Sequence, residues 1–380
     1  MPELDGIRGL AILGVLCSHG AGLTGIFGRL PFSHADALLS SVMVPLWGGV
    51  DLFFTLSGFL ITGILLRTKN SENYFSSFYG RRMLRIFPIY YLVLILSLTA
   101  GHFSSAIANY LPPTTTWKVA YFAYLQNWPV FWHGAKVMGG VWGAYWSLAV
   151  EEQFYLVWPI IVLLSSEKAI ASICYIGLAL ALPLRFFLYY HYFGDNFGLA
   201  QITSSRVDGL FIGAACAVFM FRHKRPVPLR WIVGSAIGGV IILGYIALFH
   251  RGELVATGKW MTTVGISGFA LISGALVALS QHRIPFLQRV LTFNLLRTAG
   301  KYSYGIYVYH LFSFLLIRRY LESKVGLSIH LNFPERILLL LVAFVIVFLA
   351  AKLSYDLFES RFLALKRYFN PAQATGSLKM

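Results

Sequence analysis

The sequence predicts an all-α polytopic membrane protein, with about ten transmembrane helices and both termini in the cytoplasm. Of its 380 residues, 57% are hydrophobic and only 12% are charged, whereas soluble domains carry about 25% charged residues. The mean hydropathy is +0.68. Apolar runs long enough to cross a bilayer lie near residues 8–27, 45–66, 86–101, 141–164, 169–189, 207–222, 231–249, 262–280, 302–320 and 335–357.

The loop charges favour ten crossings over eleven. A further apolar run, residues 117–128, is short and ambiguous. If it does not cross, the loops place 18 Lys and Arg residues on one side of the membrane and seven on the other. If it crosses, the later basic loops switch sides and the asymmetry weakens. Because cytoplasmic loops carry the excess of positive charge, we expect residues 117–128 to form a re-entrant or interfacial helix on the outer side.

Charge and cysteine content narrow the possible functions. The net charge of +16 is assigned to cytoplasmic loops, so no nucleic-acid partner is expected. The three cysteines are far apart and lack metal-ligand spacing, so they are expected to pack as small hydrophobes, and no metal site is expected. No internal repeat or low-complexity linker is found. We predict one membrane domain over residues 1–365 and a cytoplasmic tail over 366–380.

The first span contains two ionisable residues, Arg8 and His19, within the segment LDGIRGLAILGVLCSHG. They are eleven residues apart, close to three helical turns, so both side chains project from one face. The rise between them is about 16 Å, roughly half the hydrocarbon thickness. Ionisable residues within a span are costly and usually face a cavity or a partner. We therefore expect this pair to have a functional role.

Other spans also contain ionisable residues. A doubled glutamate, Glu151 and Glu152, is costly unless one of the two faces a polar cavity. With the N-terminus inside, the acidic residues and His19 are expected toward the extracytoplasmic half, and Arg8 near the cytoplasmic edge. The remaining ionisable residues within spans are Asp51, Arg185, Asp208 and His310.

Structural roles explain some of these residues equally well. His310 either hydrogen-bonds to a neighbouring helix or takes part in chemistry, and the sequence leaves both open. Asp208 is expected to pair with Arg206 at a helix end. Near the C-terminus, Glu359 and Arg361 are expected to form a solvated cap.

The segment RRMLR, residues 81–85, opens the third span. Arg82 and Arg85 are three residues apart and share a helix face. They either anchor the span or clamp an anion, because paired guanidinium groups bind phosphate bidentately and a helix N-terminus adds a favourable dipole. Spacing alone leaves both readings open. In the second span, small residues including Ser57 and Gly58 allow a helix or a ligand to approach closely.

Six motifs follow one another along the chain: LDGIRGLAILGVLCSH, GGVDLFFTLSGFLI, FYGRRMLRIFPIYY, WSLAVEEQFYLVWP, RVDGLFIGAACA and GKYSYGIYVYH. Together they resemble the integral-membrane acyltransferase family 3, the bacterial membrane O-acyltransferases, over nearly the whole chain. The resemblance implies ten core spans and transfer of acyl groups, often acetyl, from a cytoplasmic donor to cell-surface glycans. The chain resembles family members without the extra esterase-like domain. The acceptor is therefore expected to be bound within the membrane domain or by a partner.

The resemblance also implies roles for individual residues. Arg8 and His19 match an arginine and a histidine required for activity, and Arg82 and Arg85 match an Arg-x-x-Arg element that handles the acyl-CoA donor. Glu151 is preferred to its neighbour because its spacing from the motif tryptophan fits the family pattern better. The candidate catalytic residues are His19, Arg8 and Glu151, and the candidate substrate-binding residues are Arg82, Arg85, Ser57, Asp51, Trp146 and Glu152.

These assignments predict an O-acyltransferase of the inner (cytoplasmic) membrane that uses acyl-CoA, expected to be acetyl-CoA, as donor substrate, with no permanently bound cofactor. The arginines would hold the CoA phosphates while the acyl-pantetheine arm reaches toward His19. The imidazole would act as a general base toward an acceptor hydroxyl or as an acyl carrier, with the base favoured. The expected acceptor is a glycan, such as an exopolysaccharide, O-antigen or lipid-linked sugar, and the remaining partner is membrane lipid.

Two other functions would also place polar residues within membrane spans or require only a helical bundle. A proton-coupled transporter of a small polar solute would also place Asp, Glu and His within the membrane, but it predicts inverted or parallel repeats, which the sequence does not show. A non-catalytic scaffold would need no aligned polar residues. Neither function explains the Arg-x-x-Arg pair or the spacing between Arg8 and His19. Transfer from labelled acetyl-CoA would separate the three.

Overall fold

The fold is described from a computed structural model of the chain. The described residues are 1–24, 34–112, 114–128, 140–192, 196–250, 254–255, 257–324 and 332–372. Within these ranges all regular secondary structure is helical and none is strand, which confirms the all-α class. Of the predicted tail, residues 373–380 lie outside the described ranges.

Ten long helices form the framework of the described chain, and we number them in chain order. They are α1 (Pro2–Leu23), α2 (Gly49–Thr68), α3 (Tyr74–Phe103), α4 (Trp146–Leu164), α5 (Glu167–Tyr192), α6 (Val207–His223), α7 (Leu229–Phe249), α8 (Ile266–Leu279), α9 (Asn294–Lys324) and α10 (Phe333–Ser354).

Shorter helical elements connect or extend these helices. The α-helical ones are His34–Met43, Ser105–Ala108, Thr115–Phe122, Asn196–Leu199, Pro285–Leu291 and Ser360–Ala364. Short segments of 3₁₀-helix are Val44–Gly48, Gly140–Tyr145, Thr203–Ser205 and Leu365–Phe369. Segments of π-helix are Met261–Gly265, which leads into α8, and Tyr355–Glu359, which continues α10.

Eight helical stretches of the described chain are long and apolar enough to cross a membrane. They contain α1 to α5, α7, α8 and α10, so the chain is a multi-pass membrane protein. The other two predicted spans correspond to α6, which has 17 residues, and α9, which has 31 residues and is less apolar. A 17-residue helix rises about 26 Å, slightly less than the hydrocarbon thickness. A count of ten crossings requires α6 and α9 to cross as well.

In the ambiguous segment, residues 117–128, the last two residues are helical, and the first six belong to a short helix, Thr115–Phe122. Its eight residues rise about 12 Å, which is far too little to cross the hydrocarbon core. The Thr114 side chain caps its first turn by accepting from the backbone N–H of Trp117. It packs against α3, where the Tyr90 hydroxyl donates to the carbonyl of Tyr121 at 2.8 Å.

Glycines allow the helices around the site to pack backbone against backbone. A Cβ on Gly58 of α2 would lie 2.0 Å from the carbonyl oxygen of Leu210 in α6. A Cβ on Gly300 of α9 would lie 1.8 Å from the carbonyl oxygen of Asp5 in α1. Larger residues would clash with main-chain atoms at both positions. α1 also packs on α2. Near Asp5, one turn before Arg8, α1 therefore lies close to α9.

Candidate active site

A cavity lies among five helices, α1, α2, α3, α4 and α9, and each contributes at least one polar side chain to its wall. Apolar and aromatic side chains such as Phe53 and Leu60 form the rest. A few converging polar groups in an apolar cavity between helices are typical of a small-molecule site. The polar residues in its wall include Arg8, Ser57, Arg82, Arg85, Glu151 and Tyr307.

Three arginines converge at this cavity. Arg82 and Arg85 share a face of α3, as their spacing predicts, and Arg8 joins them from α1. The Arg8 Nη1 donates to the Asp5 Oδ1 at 2.7 Å. The guanidinium carbon of Arg82 lies 4.6 Å from the centroid of the Tyr155 ring, which is a cation–π distance. Guanidinium groups grouped in this way suit an anionic ligand with several oxygens, such as a phosphate.

A hydrogen-bonded chain of three side chains also lines the cavity. The Tyr155 hydroxyl donates to the Ser57 Oγ at 2.9 Å, and the Ser57 hydroxyl donates in turn to the Glu151 Oε1. Both Ser57 and Glu151 line the cavity. Glu152 is not among the described residues that line it, and its buried Oε1 has no hydrogen-bond partner within the described chain. Of the doubled glutamates, Glu151 is the one that faces the arginines.

His19 lies further along α1 and contacts His310 of α9. The His19 Nδ1 is 2.9 Å from the His310 Nε2, and the rings stack with centroids 5.0 Å apart. The His310 Nδ1 is 2.7 Å from the carbonyl oxygen of Tyr307. A carbonyl only accepts, so the His310 Nδ1 carries the proton and its Nε2 presents a lone pair. For neutral rings, His19 therefore donates from Nδ1 and keeps a lone pair on Nε2.

Tyr307 links the histidine pair to the cavity. Its side chain lines the cavity, and its hydroxyl is 2.7 Å from the carbonyl oxygen of Ala144 and 2.5 Å from the Ser147 Oγ. Its own carbonyl oxygen holds the His310 ring. Tyr307 thus faces the cavity with its side chain and holds His310, one turn further along α9, with its carbonyl oxygen. His19 itself is not among the described residues that line this cavity.

Two predicted substrate-binding residues, Asp51 and Trp146, lie beside the cavity instead of in its described wall. The Asp51 Oδ2 accepts from the Arg206 Nη2 at 3.2 Å, and both side chains are buried. The guanidinium carbon of Arg206 lies 5.0 Å from the centroid of the Trp146 ring. Here both residues contact Arg206.

The expected pairing of Asp208 with Arg206 is wrong. Asp208 accepts from Arg185 through both oxygens, at 2.7 and 3.0 Å, and its Oδ2 also accepts from the Ser267 hydroxyl at 2.6 Å. Arg206 contacts Asp51 instead. Two buried charges on neighbouring helices neutralise each other more completely through a bidentate contact than residues two apart on one chain can.

The expected solvated cap at Glu359 is also wrong. Its side chain is only 9% exposed, and its Oε1 accepts from the Ser354 hydroxyl at 3.1 Å. It lines a cleft together with Asp5, Arg8 and Arg85. The π-helical turn that follows α10 brings Glu359 back against the arginines, and sequence periodicity gives no signal for such a turn.

Tyr155 and Tyr304 also line the cavity, although neither was predicted from the sequence. A signal for each was available. Tyr155 lies four residues after Glu151, and Tyr304 lies three residues before Tyr307, so each shares a helix face with another lining residue. Because aromatic residues are common in membrane helices, these two tyrosines did not stand out as site residues in the sequence.

Comparisons with known proteins show which family the chain belongs to. A family model described as an acyltransferase domain matches residues 1–352. The peptidoglycan O-acetyltransferase of Listeria monocytogenes is 29% identical over 326 residues, which are 82% of this chain and 49% of that protein. A Bacillus subtilis protein with the provisional name peptidoglycan O-acetyltransferase is 25% identical over 328 residues, 82% of this chain and 48% of that protein.

A Staphylococcus aureus protein with the provisional name O-acetyltransferase is 26% identical over 383 residues, covering 95% of this chain and 57% of that protein. The chain therefore spans about half the length of the curated relatives it matches. No solved structure matches it.

Proposed function

Because the chain belongs to the integral-membrane acyltransferase family 3, we propose that it moves an acyl group, acetyl in the simplest case, from cytoplasmic acyl-CoA to a hydroxyl of a cell-surface or exported glycan. One observation carries this proposal. Three arginines and a Glu–Ser–Tyr hydrogen-bonded chain meet in one cavity at α1, and the same helix continues to a histidine oriented by a second histidine.

The donor fits the charge of the cavity. CoA is made in the cytoplasm, and its phosphates cannot enter hydrocarbon unpaired. Arg82 and Arg85 would bind these phosphates bidentately, and Arg8 would complete the site from α1. Arg8 and His19 are eleven residues apart, a rise of about 16 Å. The extended acyl-pantetheine arm would cover that distance and bring the thioester toward His19.

His19 would act as the general base. Its Nε2 lone pair takes the proton of the acceptor hydroxyl as the oxygen attacks the thioester carbonyl. The carbon–sulfur bond then breaks, and the CoA thiolate receives the proton from the His19 imidazolium. His310 would hold His19 in the tautomer that this step requires. Acylation of His19 itself, followed by transfer to the hydroxyl, is the second route open to the same residue.

Glu151 would act next to the donor. Its carboxylate holds the Ser57 hydroxyl and shares the cavity with the three arginines. A carboxylate fixed among guanidinium groups limits their rotation and balances their charge when no ligand is bound. We therefore assign Glu151 to orienting the arginines and the thioester end of the donor.

A glycan hydroxyl is the acceptor that the relatives favour. The Listeria monocytogenes relative is named for acetylation of peptidoglycan. In the proposed topology, ten helices cross the cytoplasmic membrane with both termini inside, α6 and α9 included. His19 then lies on the outer side of the arginines, on the route from a cytoplasmic donor to an outer acceptor.

The test uses purified protein in lipid nanodiscs with labelled acetyl-CoA and soluble peptidoglycan fragments. The expected result is a base-labile acetyl ester on the glycan and one free CoA thiol per ester formed. Matched nanodiscs without protein give the background. Loss of surface O-acetyl groups in a deletion strain would support the same acceptor class. Absence of ester in this assay, together with solute uptake by the same protein in sealed vesicles, would contradict the proposal.

A further inference from the structure

A second cavity, of about 390 Å³, lies where α2 ends and α3 begins. This is the cytoplasmic end in the proposed topology. Six cationic side chains line it, and no carboxylate is among the described lining residues. The six are Arg8, Arg67, Arg81, Arg82, Arg85 and Lys366.

The C-terminal segment closes one side of this cavity. The Asn370 Oδ1 accepts from the Arg81 Nη1 at 2.7 Å, and the Asn370 carbonyl oxygen accepts from the Asn73 side chain at 2.8 Å. Phe369 packs so tightly on Gly80 that a Cβ there would lie 2.2 Å from its ring. These contacts fix the segment against the start of α3. As a result, Lys366 lies in the cavity wall.

The two cavities share part of their walls, because Leu60 and the three site arginines line both. A ligand entering from the side of the second cavity meets Arg67, Arg81 and Lys366 before it reaches Arg82 and Arg85. The cations therefore form two groups, one at the entrance and one deeper, near Glu151.

We propose that Arg67, Arg81 and Lys366 bind the adenosine 3′-phosphate of CoA, with Asn370 of the C-terminal segment positioning Arg81. The proposal rests on acyl-CoA being the donor. CoA carries a pyrophosphate next to the pantetheine arm and a separate monoester on the ribose, so its phosphates also form two groups. A phosphate monoester carries about −1.5 to −2 charges at pH 7. A cavity wall of cations without carboxylates suits that charge.

Binding of CoA and of dephospho-CoA, which lacks only the 3′-phosphate, separates the two groups of cations. The variants are Lys366→Gln and Arg67→Gln, measured by calorimetry on purified protein in nanodiscs. Wild-type protein should prefer CoA by about tenfold or more, the size of a lost charge-assisted contact. Each variant should lose this preference while binding dephospho-CoA as wild type does. Arg367→Gln is the control, because Arg367 is exposed and contacts Tyr368 instead of lining the cavity.

The outcomes distinguish this inference from the proposed function. If wild-type protein binds neither ligand, acyl-CoA is not the donor and both proposals fail. If it binds both equally, or if the variants weaken both equally, the entrance subsite is wrong while the donor stands. Arg67 is an exposed residue near the end of α2, so its variant remains informative should Lys366→Gln disturb folding. Asn370→Ala should also reduce the preference for CoA, because it releases Arg81.

Discussion

The Nδ1 of His19 lies 2.9 Å from the Nε2 of His310, and the Nδ1 of His310 lies 2.7 Å from the carbonyl oxygen of Tyr307. For neutral rings, this order of contacts leaves the Nε2 of His19 unprotonated and outside the contact between the two histidines. The Tyr307 carbonyl oxygen, which can only accept, determines which atom donates in each of these hydrogen bonds. The proposed base is thus oriented by α9, a helix separated from it by most of the sequence.

We expect His310→Leu to lower kcat for acetyl transfer by about one to two orders of magnitude, part of what a general base contributes. The leucine side chain cannot accept a hydrogen bond from the His19 Nδ1. The His19 ring could then adopt either tautomer, with the lone pair on Nδ1 or on Nε2. His310→Gln should retain more activity than His310→Leu, because its amide oxygen can still accept. KM for acetyl-CoA should change little.

The control for His310 is His191→Leu, since His191 is an exposed histidine whose Nδ1 contacts the carbonyl oxygen of Phe187 at 3.0 Å. Its kcat should equal that of wild type. Equal loss of activity in the Leu and Gln variants of His310 would argue for a packing role instead of an orienting one.

Arg82→Ala and Arg85→Ala should each weaken acyl-CoA binding without changing affinity for the acceptor. Lys at either position should rescue only partly, because a point charge keeps the attraction and loses the bidentate geometry. Equilibrium binding on purified, correctly inserted protein measures this, with Arg297→Ala, an exposed arginine on α9, as the control. An unchanged dissociation constant in both alanine variants would remove the pair from the donor site.

Breaking the buried pair between Arg185 and Asp208 should destabilise the protein. Arg185→Met leaves a buried carboxylate uncompensated, which costs about 3–5 kcal/mol. The measurement is thermal unfolding in detergent. The double variant Arg185→Met/Asp208→Leu should be more stable than the single variant, because it removes both charges. Arg318→Met, which breaks an exposed pair with Glu322, should leave Tm almost unchanged, and an equal effect of the two single variants would contradict the prediction.

The topology can be tested with single cysteines in a variant lacking the three native ones. Cysteines placed within 101–140 should react with an impermeant reagent added outside intact cells, because the helix Thr115–Phe122 is too short to cross. Cysteines within 67–80 and 223–230 should react only after the cells are opened. Labelling of 133–140 from the inside would mean that an extra crossing precedes it.

Local periodicity was enough to predict much of this molecule. Hydrophobic runs predicted the long helices, and a three-residue spacing predicted that Arg82 and Arg85 share a helix face, which lines the cavity. These features depend on residues within one helix, so the sequence contains them directly. The cost of burying two adjacent carboxylates predicted that one of the two glutamates faces a polar cavity, and the family resemblance selected Glu151, which lines it.

Contacts between distant helices could not be predicted in this way. Asp208 pairs with Arg185 instead of the nearby Arg206 because helix packing, not sequence distance, decides which buried charges meet. Glu359 reaches the arginines through a π-helical turn. Each of these contacts depends on which helices are neighbours, and a single sequence does not specify that.

The central claim is that His19 transfers the proton of the acceptor hydroxyl, and one measurement tests it most directly. Wild-type protein and His19→Ala are compared in nanodiscs, with labelled acetyl-CoA, a glycan acceptor, and CoA affinity measured on the same samples. The account predicts that His19→Ala binds CoA as wild type does but forms ester at least about a hundredfold more slowly. A correctly folded His19→Ala protein that keeps more than about a tenth of the wild-type rate would contradict it.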